Sequence, residues 1–328
     1  MPPRVPLAGG TQETLLSEVG PYLLALFSTA DACALRLVCR EFLAAVAEHP
    51  WEDRGTVIQG STAAWRACFP HARVANVQQV AGPSRAGRRA PLTDADLAHL
   101  EGVRELNMAG CAGVTGGGLA RLAGSLRVLD ASQCTGLTDA AFAHLGGLEA
   151  LDMSGCDQPA VTDAAIAHLR GIQRLSLARC AQRTITGAAL AHLRDVRVLN
   201  LSLCPQFGDA HLAHLARVHT LVLEFCSQRH LTGAAFAHLG SLHTLALQFC
   251  HQRELSAAAL LPLQGRVRAL GLSATRRDLL ASARSLRLPV FSRMVEPVGT
   301  VEYRCGRVAV PVEAPRLFDE ALGGGGGV

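Results

Sequence analysis

The chain has 328 residues, a formal net charge of +4, and 49% apolar residues of which few are aromatic. That content excludes wholesale disorder and predicts a core of many small leucine and alanine contacts. The charge is diffuse, with no basic run interleaved with aromatics, so nucleic acid is not an expected partner. No stretch approaches the roughly 18 apolar residues of a membrane span, so a membrane is not expected either.

In chain order, Met1-Pro-Pro-Arg-Val-Pro carries no long apolar run, so no secretory signal is expected there. The expected setting is a reducing one, cytoplasmic and/or nuclear, in which the 11 cysteines are thiols before they are disulfides. All 31 basic residues are arginine. GC-rich coding accounts for that bias, and a second reading of it follows below. Residues 1–14 are expected to be disordered.

Residues 15–51 form the first structured unit. Leu15 and Glu18 open it, and Leu23, Leu24, Leu26 and Phe27 make an apolar run. Asp31 marks a turn, Leu35 and Val38-Cys39-Arg40-x-Phe42 follow, and Trp51 closes it. The series resembles an F-box. Leu16 stands where that family has proline, and Gly20-Pro21 falls inside its first helix. Gly20 as an N-cap and Pro21 as first helical residue would start the helix late and carry it to about Ser28. The resemblance implies a small all-α module that docks an Skp adaptor, and through it a cullin, using Leu15, Glu18, Pro21, Leu24, Leu35 and Val38. The plainer alternative is a helical cap that shields the edge of whatever sheet follows.

Residues 52–91 read as a degenerate first coil and linker, with Trp65, Phe69-Pro70 and Val74-Ala-Asn-Val77 as its apolar anchors. Arg85, Arg88 and Arg89 lie among Gly, Pro and Ser and read as solvated linker.

From residue 92 to 275 the sequence repeats itself. Leu92-Thr-Asp-Ala-Asp-Leu-Ala-His-Leu100 is answered by segments opening at Val114, Leu137, Val161, Ile185, Phe207, Leu231 and Leu255, which makes eight repeats spaced 22 to 24 residues apart. Each is followed by a second block such as Leu148-Glu-Ala-Leu-Asp-Met-Ser-Gly-Cys156. There the alternation puts Leu151 and Met153 on one strand face, with Asp152 and Ser154 on the other. Thr162 suits an N-cap and Asp163 the positive end of a short helix whose Ile166 and Leu169 face inward. One such unit cannot bury both faces; stacking eight does, giving an α/β solenoid with a parallel sheet inside and helices outside. At ~4.8 Å per strand the inner surface is about 35–40 Å long. The pattern resembles the cysteine-containing class of leucine-rich repeats, and the resemblance implies a horseshoe.

Several columns run through the repeats. Cys111, Cys134, Cys156, Cys180, Cys204, Cys226 and Cys250 share one position, with Thr275 replacing the eighth. Zinc sites need close pairs such as C-x-x-C, and a repeat of ~4.8 Å exceeds the Cβ separation of a disulfide, so a buried thiol column is the favoured reading. His99, His144, His168, His192, His214 and His238 mark an outer column. A metal site or pH sensor is weighed there against a plain exposed helix face, which is favoured. Two residues after each cysteine come Gly113, Gly136, Gln158, Gln182, Gln206, Gln228 and Gln252. Those glutamines form either an amide ladder stitching the loops or, with Arg183, Arg229 and Arg253, a cationic rim that grips a ligand.

The concave face is expected to present Glu105, Asn107, Asp130, Asp152, Arg174, Ser176, Asn200, Val222, Glu224, Ala246 and Gln248. Asn107, Asp130, Asp152, Arg174, Asn200 and Glu224 are its candidate target contacts, together with the three rim arginines. Phe225 and Phe249 are core residues unless the backbone turns them outward. Residues 276–322 read as a C-terminal cap, with 300–304 and 307–312 as a hairpin and Leu279 to Leu288 as a worn ninth coil. The glycine tail 323–328 is expected to be disordered.

Together the two resemblances imply the substrate receptor of an Skp–cullin–F-box ubiquitin ligase, binding an unknown target protein through the solenoid. No catalytic residue, metal or cofactor is expected, as no nucleophile elbow, P-loop or H-E-x-x-H helix occurs. A receptor without lysine would also have no side-chain amine for its own ligase to modify. The alternative from another class is an interaction scaffold or inhibitor outside the ubiquitin machinery.

Overall fold

A computed structural model describes residues 20–79, 91–226, 230–250, 254–273, 275–295 and 301–305, with the backbone alone over 291–305. The expected disordered ends, the linker arginines, Leu15, Glu18, Gln228, Arg229, Gln252, Arg253 and the strand expected over 307–312 lie outside the described residues.

The described part of the N-terminal module opens on helix that runs through residue 24. It stops there instead of running to Ser28, because Ser28 is committed to capping the next helix, α1 (Thr29–Leu35), in a reciprocal box with Asp31. Helix α2 (Arg40–Glu48) follows, then α3 (Thr62–Cys68). The core of the module is Leu24, Ala32, Val46, Trp51, Phe69 and Ala72, with Leu35 and Trp65 packed against it. Trp51 is held by its indole N–H, which donates to the Val46 carbonyl at 2.8 Å, and by an edge-on contact with Phe69 at 5.7 Å.

The solenoid is built on an 11-stranded sheet in simple sequence order. Its first strand, β1 (Val74–Asn76), lies before the recognisable repeats. Then come β2 (Glu105–Asn107), β3 (Val128–Asp130), β4 (Ala150–Asp152) and β5 (Arg174–Ser176). The second half holds β6 (Val198–Asn200), β7 (Thr220–Val222), β8 (Thr244–Leu247), β9 (Ala269–Leu272) and β10 (Val290–Val295). All ten run parallel. The register never slips: Leu106, Leu129, Leu151, Leu175, Leu199, Leu221, Leu245 and Leu270 sit opposite one another as one column. Each is fully buried, and a leucine removed from water contributes about 1.5–3 kcal/mol, so the column alone fixes which face turns inward.

The outer layer consists of single turns of α- or 3-10 helix, such as Asp163–Ala167 and Gly187–Leu190. Thr162 caps the first of these by accepting from the Ala164 N–H, as its sequence suggests. The aspartate beside it reaches across to the next coil. Asp163 accepts from the backbone N–H of Thr186 at 2.7 Å and from its hydroxyl at 2.6 Å. Asp139 does the same for Thr162, and Asp209 for Thr232. The recurring Thr-Asp pair is therefore a staple between neighbouring coils. Gly187 lacks the carboxylate, and the His211 ring of the next coil fills its place so closely that a Cβ there would lie 1.9 Å from it.

At the far end strand β11 (Val301–Cys305) pairs antiparallel with β10. The helix Arg277–Ser285 and β10 extend the sheet by one more coil, and β11 then covers the edge that would otherwise be bare.

Candidate binding surfaces

The cysteine column comes first, because it positions the loops that border the concave face. All seven side chains are buried thiols outside any disulfide. Each thiol donates to a backbone carbonyl one coil earlier: Cys134 to Met108 at 3.1 Å, Cys156 to Ala131 at 3.2 Å, Cys180 to Met153 at 3.1 Å, Cys204 to Leu177 at 2.9 Å. Burial pushes the Cys156 and Cys204 thiols up to about 12, which leaves them protonated and fixed as donors. Among the described residues no cluster of three or more His, Cys, Asp or Glu is arranged to hold a metal. The outer histidines are exposed, apart from a half-buried His192.

The glutamines stitch side chain to backbone. Gln158 donates to the Cys134 carbonyl at 3.1 Å, Gln182 to Cys156 at 3.0 Å and Gln206 to Cys180 at 2.7 Å. Arg276 does the same work in the last coil, reaching the carbonyls of Cys250 and Leu255. Gly113 and Gly136 stand where a Cβ would approach carbonyl oxygens of the preceding coil to 2.6 and 2.5 Å, so the early coils have no room for an amide. Arg183 is exposed beside the ladder.

Strand residues of the concave face turn their polar groups on their own turns. Asn107, Asp130, Asp152 and Asn200 are half-buried, and each accepts from the backbone N–H two residues on, at 2.8 to 3.0 Å. Asp152 also accepts from the Ser154 hydroxyl, which touches the Ser176 hydroxyl at 2.7 Å. Burial, then the neighbouring Asp130 charge, pushes the Asp152 carboxyl up to about 6, against the pull of those hydroxyls. Arg174 is half-buried at the strand entry. Glu224 departs from expectation: it is 6% exposed, inside the sheet face instead of on it. Val222 and Ala246 are buried as well, so the later coils present little of their strands.

What the later coils present instead is the residue just before each cysteine. Gln133, Arg179, Leu203, Phe225 and Phe249 have φ between 55° and 61°, the left-handed conformation that Gly110 and Gly155 adopt at equivalent positions. That conformation points their side chains off the rim. Leu203 and Phe225 are 37% and 44% exposed, and Phe225 stacks on Phe249 with ring centroids 4.4 Å apart and planes within 10°. Phe225 is thus a surface residue with a half-buried Phe249 stacked on it, settled by a backbone state their residue types do not signal.

The N-terminal module is bolted to the first coils. Arg54 makes a bidentate pair with Glu105 at 2.7 Å for both contacts, and Arg66 donates to the carbonyls of His99, Ala72 and Glu101. Of the adaptor candidates, Pro21 and Val38 are exposed, Leu35 is half-buried against the module core, and Leu24 is 3% exposed. Leu24 therefore packs the module from within and offers no contact surface. Residues missing from the candidates stand out instead: Tyr22, Leu23, Leu26, Phe27, Leu37 and Leu43 are between 41% and 88% exposed.

No protein-family model matches the sequence, and no curated protein matches it. Among solved structures, the TLR13–ssRNA13 complex aligns with 69% of this chain and 33% of TLR13, at 19% identity and a TM-score of 0.50. Internalin C2 of Listeria monocytogenes aligns over 63% of this chain and 83% of its own, at 19% identity and a TM-score of 0.47. Human 5T4 aligns over 57% and 77%, at 24% identity and a TM-score of 0.45. The chain spans about a third of the length of TLR13. The likeness reaches the fold and no further: this chain is an open α/β solenoid of leucine-rich repeats.

Proposed function

We propose that the chain is a receptor that presents a target protein to an Skp–cullin–F-box ubiquitin ligase, the N-terminal module docking the adaptor and the solenoid holding the target. One observation carries the reading. Seven of the ten large apolar side chains exposed among the described residues fall between Tyr22 and Leu43. A module whose sole task was to cap the sheet would turn its leucines toward the coils. This one keeps Leu26 and Leu37 more than 80% exposed while bolting itself on through arginines. Such a patch on a small helical module is a protein-docking face.

On this reading the target contacts are Asn107, Asp130, Asp152, Arg174, Asn200 and Arg183, joined by the outward ladder of Arg179, Leu203, Phe225 and Phe249. The chain's work is positioning, raising the effective concentration of a target lysine near the conjugating enzyme. Its own lack of lysine spares it the same fate.

The test is binding of the full chain to the Skp adaptor, beside a Leu37→Asp, Val38→Asp variant. Both positions are solvent-facing, so the variant keeps its thermal midpoint. Tight binding lost in the variant is the expected result. A folded wild type that ignores the adaptor would leave a scaffold whose module is a cap with a different partner.

A further inference from the structure

On the rim where the chain enters the sheet, one residue per coil precedes each strand. Successive members of this row are rungs of one backbone ladder: the His219 N–H donates to the Arg197 carbonyl at 2.7 Å, His243 to His219 at 2.8 Å, and Arg268 to His243 at 2.7 Å. Arg127, Glu149 and Gln173 hold the position in earlier coils, so two imidazoles become neighbours only at His219 and His243. Both are half-buried, and their rings meet with centroids 5.2 Å apart and planes at 60°. Among the described residues neither imidazole donates or accepts a hydrogen bond, unlike His211, whose Nδ1 accepts from the Gly208 N–H at 3.2 Å. All four ring nitrogens of the pair are therefore uncommitted to protein.

The separation is that of two ligands on one ion. A zinc–imidazole bond is ~2.0–2.1 Å and the bonded nitrogen lies ~1.15 Å from its ring centre, so each centroid stands about 3.2 Å from the metal. At the tetrahedral angle two such rings have centroids about 5.2 Å apart, and at the right angle of square-planar or octahedral ions about 4.5 Å. We propose that His219 and His243 bind one Zn2+ ion between them, with one nitrogen from each ring and water in the two remaining tetrahedral positions. The coils already hold the rings at the required distance, and rotation about side-chain bonds aims the nitrogens. Two protein ligands are half the set of a structural zinc centre, so the ion exchanges and its occupancy follows the free zinc around the chain. While bound it clamps neighbouring coils and adds to their stability.

Arg197 and Arg268 flank the pair. Both are exposed, so their charges are screened and lower the affinity without closing the site. The same surroundings favour the neutral imidazole that a metal requires: burial first, and then His243 and Arg197, hold His219 below the usual histidine range. The histidines of the outer turns differ, because among the described residues His219 and His243 are the one pair of imidazoles in ring contact. The inference is independent of the function proposed above.

The experiment titrates ZnCl2 into the chelator-stripped full chain, its exposed Cys33 and Cys39 alkylated, against a chromophoric zinc indicator. The wild type should hold one ion that His219→Gln and His243→Gln each weaken at least tenfold, with no further loss when the two are combined. A His144→Gln, His168→Gln variant, which removes two exposed imidazoles from the outer turns, should bind as the wild type does. Co2+ in place of Zn2+ should give the visible absorption of a tetrahedral ion. Because neither ring is hydrogen-bonded within the chain, the double variant should keep the zinc-free urea midpoint, and saturating Zn2+ should raise that midpoint in the wild type and not in the double variant. Unchanged zinc affinity in the double variant would overturn the proposal, as would a loss confined to one of the two single variants or a cobalt spectrum of six-coordinate geometry.

Discussion

Asp152 is the position at which the concave face can be interrogated by pH alone. Its carboxyl is pushed from an ordinary 3.8 to about 6, chiefly by burial and then by Asp130. In the folded chain it therefore holds its proton over a range in which the unfolded chain has already lost it. Below about pH 4 both states are protonated and the residue costs nothing. As pH rises toward 6 the folded state binds the extra proton, so stability falls, and above 6 the full penalty applies. Two units at 1.36 kcal/mol each give ~3 kcal/mol, and partial access to solvent reduces this to about 1.5 kcal/mol. Asn107 and Asn200 cap the same turn in other coils by accepting at 3.0 Å, so Asp152→Asn keeps the hydrogen bond and discards the charge. Urea denaturation followed by circular dichroism, in steps from pH 4 to 7.5, should show variant and wild type coinciding at pH 4. The variant should lead by about 1.5 kcal/mol at pH 7. Parallel profiles, or an asparagine variant that is the weaker at pH 7, would refute the account of what burial and Asp130 do at this site.

The cysteine column gives a labelling prediction. Native protein treated with iodoacetamide at pH 8 should be modified quickly at the exposed Cys33 and Cys39, while the seven buried thiols react only through unfolding, as read by peptide mass spectrometry. A column cysteine reacting at the rate of Cys33 would contradict the hydrogen-bonded burial described here. The left-handed rim gives another. Gln133→Gly relieves a φ of 57° at an exposed position and should raise stability by about 0.5–1 kcal/mol, the αL cost less the entropy of glycine. Phe225→Gly gains the same relief but loses a stacked pair worth about 0.5–1.5 kcal/mol, so its urea midpoint should barely move.

Much of this architecture is legible in the chain because the repeat is local and the leucines alternate. The strand register, the thiol column and the outer helical turns all follow from a 22- to 24-residue period and from which side chains can share a face. What escaped is information the residue types do not carry. Gln, Arg, Leu and Phe are not residues of the left-handed region, and Gly110 and Gly155 in the same column were the one available hint. The Thr-Asp pair reads as a helix start and is one, but its second role needs the neighbouring coil in view. At the C-terminus, the pairing of β11 with β10 is an element that the worn period of the last coils does not signal.

The left-handed position before each cysteine has a consequence for how such a chain can change. Its side chain points away from every packed layer, while its N–H still completes a rung to the next coil, as that of Phe225 does to the Gln248 carbonyl at 3.0 Å. Identity there is free of the jigsaw that constrains the leucines, and is paid for by a small, fixed conformational cost that is much the same for Gln, Arg, Leu or Phe. The solenoid thus carries a row of interchangeable keys on a rigid bar, one per coil. A lineage could rewrite what this edge recognises, residue by residue, without renegotiating the fold that holds it.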